Sequence, residues 1–272
     1  GYRYFDTFEV EPAYCFGYGK SYTEFAIQTA HVEIEKSDVM FWVDVKNVGD
    51  EFAGKEVIQV YVSAPGKDME KPYQELVAFR KTSLLPPKAG ECVLVRFPLA
   101  ALASYNSKDA AWELEEGDYL IRVGNSSRNT QPVAVLRMKQ SKKTSQLKNL
   151  FDEDDTLTKL AETETGKNAL AKRNDRVKKE TEAALANVPV LTVDMSKICC
   201  EEPEYSAGAR IEMKDHFPER SLTMDEVKRG DVTLEDLVAQ LTVEELANLC
   251  VGTERLEDDA NVVGCASDRV IG

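Results

Sequence analysis

The sequence has few histidines, no long apolar run and fewer basic than acidic side chains, 34 against 48. It contains two histidines, His31 and His216, and its six cysteines show no C-x-x-C spacing, so we expect no metal site. Its formal net charge is −14, which argues against nucleic acid as a partner because phosphate binding needs a basic face. Without an apolar run of bilayer length, a membrane partner is not expected. No pattern calls for a cofactor either.

The cysteines and the first residues bear on the cellular compartment. Unpaired thiols fit a reducing compartment better than secretion, so we expect a bacterial cytoplasmic location. Gly1-Tyr2-Arg3 has neither a start Met nor a signal-peptide pattern, which leaves export open.

Short β-type runs dominate the region from residue 25 to about residue 140. Seven runs are separated by turn residues, at 25–34, 39–45, 56–62, 74–79, 92–97, 119–123 and 133–138. Seven strands in a little over a hundred residues is the number expected for an immunoglobulin-like sandwich. We therefore predict a mainly β fold, an immunoglobulin/fibronectin III-like β-sandwich followed by a helical, incomplete segment.

Alternation within these runs predicts which side chains face the core. In the second run, Phe41 and Val43 fall on one face, and Met40 and Trp42 fall on the other. The polar residues of the runs are expected to point outward or to cap strand ends. These residues are Asp44, Lys46, Gln59, Arg96 and Arg122.

Residues 141–190 read as a charged, partly helical connector. A helix is predicted over residues 168–186, with Asn168 as its N-cap and with Leu170, Val177 and Ala184 on one side. Two interpretations stay open: a partner-binding helix, or a helix that lies on its own protein or forms part of a linker.

The last region, residues 191–272, carries 8 basic and 19 acidic side chains. Three short amphipathic helices are predicted there, over residues 224–229, 234–240 and 246–251. Their caps are Thr223 or Ser221, then Thr233, then Thr242 in a capping box with Glu245, and Gly230 ends the first helix.

A motif near the start of the chain is the most specific signal. The segment Phe16-Gly17-Tyr18-Gly19-Lys20-Ser21-Tyr22-Thr23 resembles the F-G-Y-G-L-S-Y-T motif of family 3 glycoside hydrolases, the β-glucosidase family. In that family the motif closes an α/β sandwich domain and leads into a fibronectin type III-like module. Further matches follow in order, including Asn47-Val-Gly49, Gln59-Val-Tyr61 and Gly117-Asp118-Tyr119.

The resemblance implies four segments. Residues 1–24 would end the α/β sandwich domain, residues 25–140 would form the fibronectin type III-like β-sandwich, and residues 141–190 would be the linker. Residues 191–272 would start an incomplete (β/α)8 barrel, because 233–252 is similar to the opening helices of the family barrel. A barrel that follows the module matches the permuted subgroup of the family.

The resemblance also implies where the chemistry would lie. Retaining glycosidases use two carboxyl groups about 5 Å apart. In the family, the nucleophile lies deep in the barrel and the acid/base Glu lies in the α/β sandwich domain, upstream of Gly1. Ser267-Asp268-Arg269 matches only the first two letters of the nucleophile motif. We therefore predict no catalytic, no substrate-binding and no metal-binding residue in this chain.

The remaining chemical candidates have ordinary structural explanations. Three carboxylate pairs are expected to be solvated: Glu201-Glu202, Glu244-Glu245 and Asp258-Asp259. His31 lies in a strand pattern and is expected to be structural or exposed.

The function implied is that of a non-catalytic fragment of a retaining β-glucosidase that hydrolyses terminal non-reducing β-D-glucosyl residues. The module would brace the two catalytic domains, and the fragment alone is expected to be inactive. Its partners would be the remaining domains of the parent and, through them, a β-glucoside or oligosaccharide; homo-oligomer formation stays open.

An alternative is a free-standing carbohydrate- or protein-binding module. It would need an exposed row of aromatics, for which Trp42, Tyr61, Tyr73 and Tyr105 are candidates, with Trp112 near a predicted turn. The aromatic-rich segment 2–22 is either a sugar-stacking platform or the filler of a domain interface, and we favour the filler.

Overall fold

The structure, a computed structural model, describes residues 1–150, 159–203, 222–242 and 245–247. The chain divides into two units, residues 1–203 and residues 204–272. The first unit is mainly β, and the described part of the second is helical, as the sequence predicts. Within the described ranges, no helix combines the length and the apolarity needed to cross a bilayer.

Eleven strands and four α-helices lie in the described residues, and all seven predicted strands are among them. The strands are β1 (Phe25–Glu35), β2 (Asp38–Asn47), β3 (Val57–Ser63), β4 (Glu75–Lys81), β5 (Gly90–Pro98), β6 (Ser104–Asn106), β7 (Ala111–Leu114), β8 (Gly117–Ser126), β9 (Asn129–Met138), β10 (Lys142–Gln146) and β11 (Val190–Thr192). The helices are α1 (Tyr2–Thr7), α2 (Glu164–Ala184), α3 (Met224–Arg229) and α4 (Leu234–Ala239).

Two sheets pack face to face around the core of the first unit. One has the order β1-β2-β5 and is antiparallel, and the other has the order β11-β9-β8-β3-β4. The larger sheet is antiparallel except for β11, which runs parallel to β9. Strands β6, β7 and β10 form a small third sheet.

Strand β2 shows how alternation builds this core. Phe41, Val43 and Val45 are at most 1% exposed, whereas Met40 and Trp42 are half-buried on the other face, as predicted. The Phe41 ring stacks on Phe97 of β5 with centroids 5.9 Å apart.

A tyrosine corner fixes the start of β8. The hydroxyl of Tyr119 donates to the carbonyl of Glu115 at 3.1 Å and accepts from the Glu115 amide at 2.9 Å. This contact is a hallmark of immunoglobulin-like sandwiches. Because burial raises the pKa of Tyr119, its hydroxyl stays protonated and remains a donor.

Two of the polar strand residues expected to point outward are buried on the outer face of their sheet. Gln59 and Arg122 point outward as predicted but are each only 4% exposed, whereas Asp44, Lys46 and Arg96 point outward and are exposed. The reason is that residues 1–24 and α2 contact the outer face of the five-stranded sheet. Both side chains are hydrogen-bonded: Gln59 donates to the carbonyl of Asn125 at 2.6 Å, and Arg122 donates to Ser63 Oγ at 2.5 Å.

Helix α2 begins earlier than predicted and lies on its own protein. Its N-cap is Thr163 rather than Asn168, since the Thr163 hydroxyl accepts from the Gly166 amide at 3.0 Å. Val177 and Ala184 are buried on the side that the predicted spacing indicated. The second interpretation of the connector, a helix that lies on its own protein, is therefore confirmed.

The residues that follow α2 return to the sandwich. Strand β11 pairs with β9, and Val193, Met195 and Ile198 join the main core. The predicted domain limits at 24, 140 and 190 stay predictions about the domains of a parent enzyme.

Capping determines the two helices described in the second unit. Thr223 and Glu226 form a capping box at the start of α3, which ends at Gly230 with φ 80°. Thr233 and Asp236 form a second box at α4, so both predicted helices are present. Of the third predicted helix, residues 248–251 lie outside the described residues.

Candidate functional site

The residues predicted to have ordinary structural roles lie apart from one another and form no cluster in the part of the chain that the structure describes, apart from the neighbours Glu201 and Glu202. Glu201 and Glu202 are exposed, in agreement with solvation. His31 is exposed too, and its Nε2 lies 3.3 Å from a carboxylate oxygen of Glu33. In the described ranges, no group of three or more His, Cys, Asp or Glu side chains could hold a metal ion.

The other candidates fall outside the described residues. They are His216, Glu244, Asp258, Asp259 and the Ser267-Asp268-Arg269 motif.

The aromatic candidates for a sugar-binding row do not form one surface. Tyr61 and Tyr73 are buried, at 0% and 8% exposure, and Trp42 lies on the other sheet. Tyr105 and Trp112 are exposed neighbours on the small third sheet, but their rings are tilted by 58°. A flat ladder of rings is therefore absent from these five positions.

The arrangement that stands out is the covered outer face of the five-stranded sheet. Segment 1–24 and helix α2 both contact this face, and each is held by buried polar groups. The burial of so many polar side chains in one place requires that they satisfy one another. We call this set of contacts the outer-face interface.

Aromatic contacts anchor the first segment. The Tyr2 ring stacks on Phe16 with centroids 4.6 Å apart and meets Tyr61 edge-on at 6.0 Å. The Tyr2 hydroxyl accepts from the Leu76 amide at 2.7 Å, and the Ser127 amide donates to the Phe16 carbonyl at 2.9 Å. These contacts fit the interpretation of the segment as interface filler.

A buried carboxylate completes the anchoring of this segment. Asp6 is 4% exposed and accepts from Gln74 Nε2 at 3.0 Å and from Arg128 Nε at 2.8 Å. Gln74 also donates to the carbonyl of Ser127 at 2.6 Å. Next to it, the Thr7 hydroxyl accepts from the Tyr73 amide at 2.9 Å. The segment is thus bound to the sandwich by charge-assisted hydrogen bonds that are shielded from water.

A second cluster joins helix α2 to the sheet. Glu180 accepts from the Tyr73 hydroxyl at 2.8 Å and from Arg176 Nε at 3.0 Å, and it pairs with Arg122 of β8. The Arg176 guanidinium lies 3.9 Å from the centre of the Tyr73 ring, which is a cation–π contact.

The pKa shifts of this cluster follow from its burial and its charges. Burial favours the protonated form of Glu180, but Arg122, Tyr73 and Arg176 outweigh burial, so the pKa of Glu180 lies below its ordinary value. Burial raises the pKa of Tyr73 to about 12, which keeps its hydroxyl a donor to Glu180.

Arg173 is the most buried charged residue of α2. At 2% exposure, its guanidinium donates to the carbonyls of Ala64 at 2.6 Å, Pro65 at 3.3 Å and Pro72 at 3.0 Å. Burial lowers the pKa of Arg173 to about 10, so the group stays charged at neutral pH. One side chain of the connector therefore holds both ends of the loop between β3 and β4.

A buried ion pair supports the same loop from within. Lys71 Nζ lies 3.1 Å from Glu115 Oε2, and both side chains are at most 2% exposed. The other oxygen of Glu115 accepts from the amides of Asp68 at 2.6 Å and Met69 at 2.9 Å. The loop that receives Arg173 is thus itself fixed in place.

Comparisons with known proteins find relatives that match most or part of this chain. A model of the fibronectin type III-like domain matches residues 56–127. "Beta-glucosidase A" of Butyrivibrio fibrisolvens is 31% identical over 284 residues, which cover 93% of this chain and 33% of the relative. A β-glucosidase of Kluyveromyces marxianus is 40% identical over 130 residues, which cover 47% of this chain and 15% of the relative.

A solved structure agrees over nearly the same extent of the chain. A β-glucosidase from Paenibacillus barengoltzii matches with a TM-score of 0.53 at 28% identity, covering 94% of this chain and 27% of that protein. The chain is similar to part of the family 3 β-glucosidases. It corresponds to a segment of a family 3 β-glucosidase that includes the fibronectin type III-like domain, and it spans a third or less of these relatives.

Sequence reasoning missed the polar residues that build the outer-face interface of this family 3 segment. Arg122, Arg173 and Glu180 carry no motif, and each looks like an ordinary solvent-facing residue of a strand or helix. The available signal was indirect: β8 combines an arginine with apolar neighbours on both sides, a pattern typical of a strand covered on both faces.

Proposed function

We propose that this chain is a non-catalytic part of a retaining β-glucosidase that removes terminal non-reducing β-D-glucosyl residues. The names of the relatives support the activity, and the dispersed carboxylates of the described residues support the assignment of catalysis to other parts of the parent. We assign the catalytic carboxylates to the barrel and to the α/β sandwich domain of that parent.

The role proposed for the module is to brace the catalytic domains against each other. The observation that carries this proposal is the burial of Asp6 among Gln74 and Arg128, because it locks segment 1–24, the expected end of the α/β sandwich domain, onto the module. The same segment exposes the aromatic side chains of Tyr14, Phe16, Tyr18 and Tyr22, at 71%, 46%, 50% and 90% exposure. Tyr14 and Tyr18 stack on each other, and we call this exposed pair the ridge. Exposed apolar patches of this kind are typical of protein contact sites.

The further partners and the location belong to the same proposal. The β-glucoside or oligosaccharide substrate would bind to the parent rather than to this segment, and a parent with the barrel after the module fits the match over 93% of the chain. The four cysteines of the described residues are free thiols, which favours the cytoplasm.

The activity is tested by hydrolysis of an aryl β-glucoside. We expect no turnover by the 272-residue chain and turnover by a longer parent. Hydrolysis by the chain alone would contradict the assignment of the catalytic carboxylates and direct attention to Asp268 and the acidic pairs.

The bracing role is tested in the parent by changing the ridge. The double variant Tyr14→Ser, Tyr18→Ser removes exposed rings that stack 5.5 Å apart, so it should leave the 272-residue chain folded but lower the melting temperature and the activity of the parent. Tyr105→Ser, an exposed ring on the third sheet, is the control. Equal effects of the two changes would refute a docking role for the ridge.

A further inference from the structure

A cleft of 380 Å³ lies beside the motif segment at residues 16–23. Four parts of the chain form its walls: the loop at residues 15–21, the start of β3, the end of β4 and the turn between β8 and β9. The volume lies within the range of small-molecule sites, about 300–1,000 Å³. Gly19 borders open space, since a Cβ atom there would meet nothing within 4 Å, so the loop leaves the cleft accessible.

The cleft gathers three lysines that have no partner within the described part of the chain. Lys20 comes from the loop, Lys55 precedes β3 and Lys81 ends β4, and all three are exposed. Among the described residues, none of the three forms an ion pair or a side-chain hydrogen bond. Because like charges repel one another, an anion that binds among these lysines relieves their repulsion.

The other charged groups of the cleft are already paired. Arg128 belongs to the ion pairs that anchor the first segment. Glu56 is the one carboxylate among the lining residues that the structure describes, and it accepts from the Val57 amide at 2.8 Å and from Asn125 Nδ2 at 3.0 Å. The three lysines therefore determine the charge preference of the cleft, which favours an anion over a neutral or cationic ligand.

Two exposed polar groups in the wall suit the remainder of a small ligand. The Ser21 hydroxyl accepts from the Thr23 amide at 3.3 Å and keeps its own hydrogen to donate. The Asn129 side chain donates to Asn125 Oδ1 at 2.8 Å and keeps its oxygen as an acceptor. Ser21 and Asn129 are both exposed, so a ligand can reach them. Sugar hydroxyls both donate and accept, so they match this pair of groups.

We propose that this cleft binds a phosphorylated monosaccharide. The three lysines hold the phosphate, which carries a charge of about −2 at neutral pH, and Ser21 and Asn129 bond to sugar hydroxyls. Lys20 stands where the family 3 motif has leucine, so the third positive charge distinguishes this chain from the motif. The bound ligand joins the loop at residues 15–21 to the sandwich and stabilises that contact by mass action. The proposal does not depend on the activity proposed for the parent.

The experiment is a titration of the purified 272-residue chain with D-glucose 6-phosphate, followed by backbone amide NMR. We expect saturable shifts that are centred on the cleft, at residues 17–21, 55, 81 and 125–129, and an affinity that falls as the ionic strength rises. Lys20→Leu restores the residue of the motif at an exposed position, so the variant should fold normally while its affinity for glucose 6-phosphate falls about tenfold.

A matched control separates the cleft from the effect of net charge. Lys46→Leu removes an exposed lysine from β2 of the other sheet by the same substitution, and it should leave the affinity unchanged. The absence of saturable shifts, or an affinity that Lys20→Leu leaves intact, would overturn the proposal. Equal binding of D-glucose would refute the inference of an anion, and an equal affinity for inorganic phosphate would refute the assignment of a sugar.

Discussion

The two sheets of the sandwich share one core but differ on their outer faces. The outer face of the β1-β2-β5 sheet carries polar side chains that are exposed to solvent, such as those of His31, Asp44 and Arg96. The outer face of the larger sheet is covered by segment 1–24 and α2, so it buries Gln59 and Arg122. Outward-facing polar residues therefore lie in solvent on one sheet and form structural contacts on the other.

The largest effect is expected at the deepest contact of the covered face. Arg173→Ala leaves the carbonyls of Ala64, Pro65 and Pro72 without their donor, so the free energy of unfolding should fall by about 3 kcal/mol. Urea denaturation measures this change. Lys172→Ala, the exposed neighbour on the same helix, should be almost neutral. If both variants behave alike, α2 is not held to the sandwich as described.

A pair of arginines at outward strand positions compares the two faces directly. Arg122→Met removes the partner of Glu180 and Ser63 on the covered sheet and should cost about 2 kcal/mol of stability. Arg96→Met, on the uncovered sheet, should change stability by less than about 0.5 kcal/mol. Chemical denaturation of both variants decides the comparison. Similar losses of stability would show that burial under segment 1–24 and α2 adds nothing to the contribution of an outward-facing arginine.

Acid should weaken the covered face through Glu180. The pKa of this carboxyl is lower in the folded chain than its unfolded value of about 4.3, because Arg122, Tyr73 and Arg176 outweigh the opposing effect of burial. Its stabilising contribution is therefore complete above the unfolded pKa and is lost as the pH falls through the folded pKa.

The test of this pH dependence is unfolding between neutral pH and pH values below the folded pKa. Glu180→Gln should flatten the loss of stability on acidification, whereas Glu182→Gln, exposed on the same helix, should keep the original slope. A slope that Glu180→Gln does not alter would remove Glu180 from the set of stabilising charges.

The smallest effect is expected on the uncovered face. His31→Gln breaks an exposed pair with Glu33, and such pairs contribute little, so stability should change by less than about 0.5 kcal/mol. Thermal melting of this variant provides the baseline for the other three. A large loss here would mean that this face is also a structural interface.

The sequence predicted the core of the fold more completely than its covered face. Alternation placed Phe41 and Val43 inward and Trp42 outward because the period of a strand depends only on local backbone geometry. The same alternation placed Arg122 outward but could not predict its burial, since that burial depends on α2, whose first residue lies 42 positions later in the chain. The short strands β6, β7 and β10 were missed because three to five residues carry too little pattern.

The predictions about functional residues were also successful only in part. The motif at residues 16–23 led to the correct family, and the predicted absence of catalytic residues stays a prediction for the hydrolysis assay. The cluster of Tyr73, Arg122 and Glu180 could not be foreseen, because its three members come from separate elements that only the folded chain brings together.

The three-residue strand β11 also governs how the module behaves in solution. It pairs with β9 at one edge of the larger sheet, while the opposite edge, β4, ends in the exposed charges of Arg80 and Lys81. A chain shortened to residue 140 would lose β11 and with it the blunted edge, so β9 would offer free amides and carbonyls to other molecules. We expect such a shortened chain to self-associate through β9. On a sizing column it should elute as a larger species than the 272-residue chain under the same conditions.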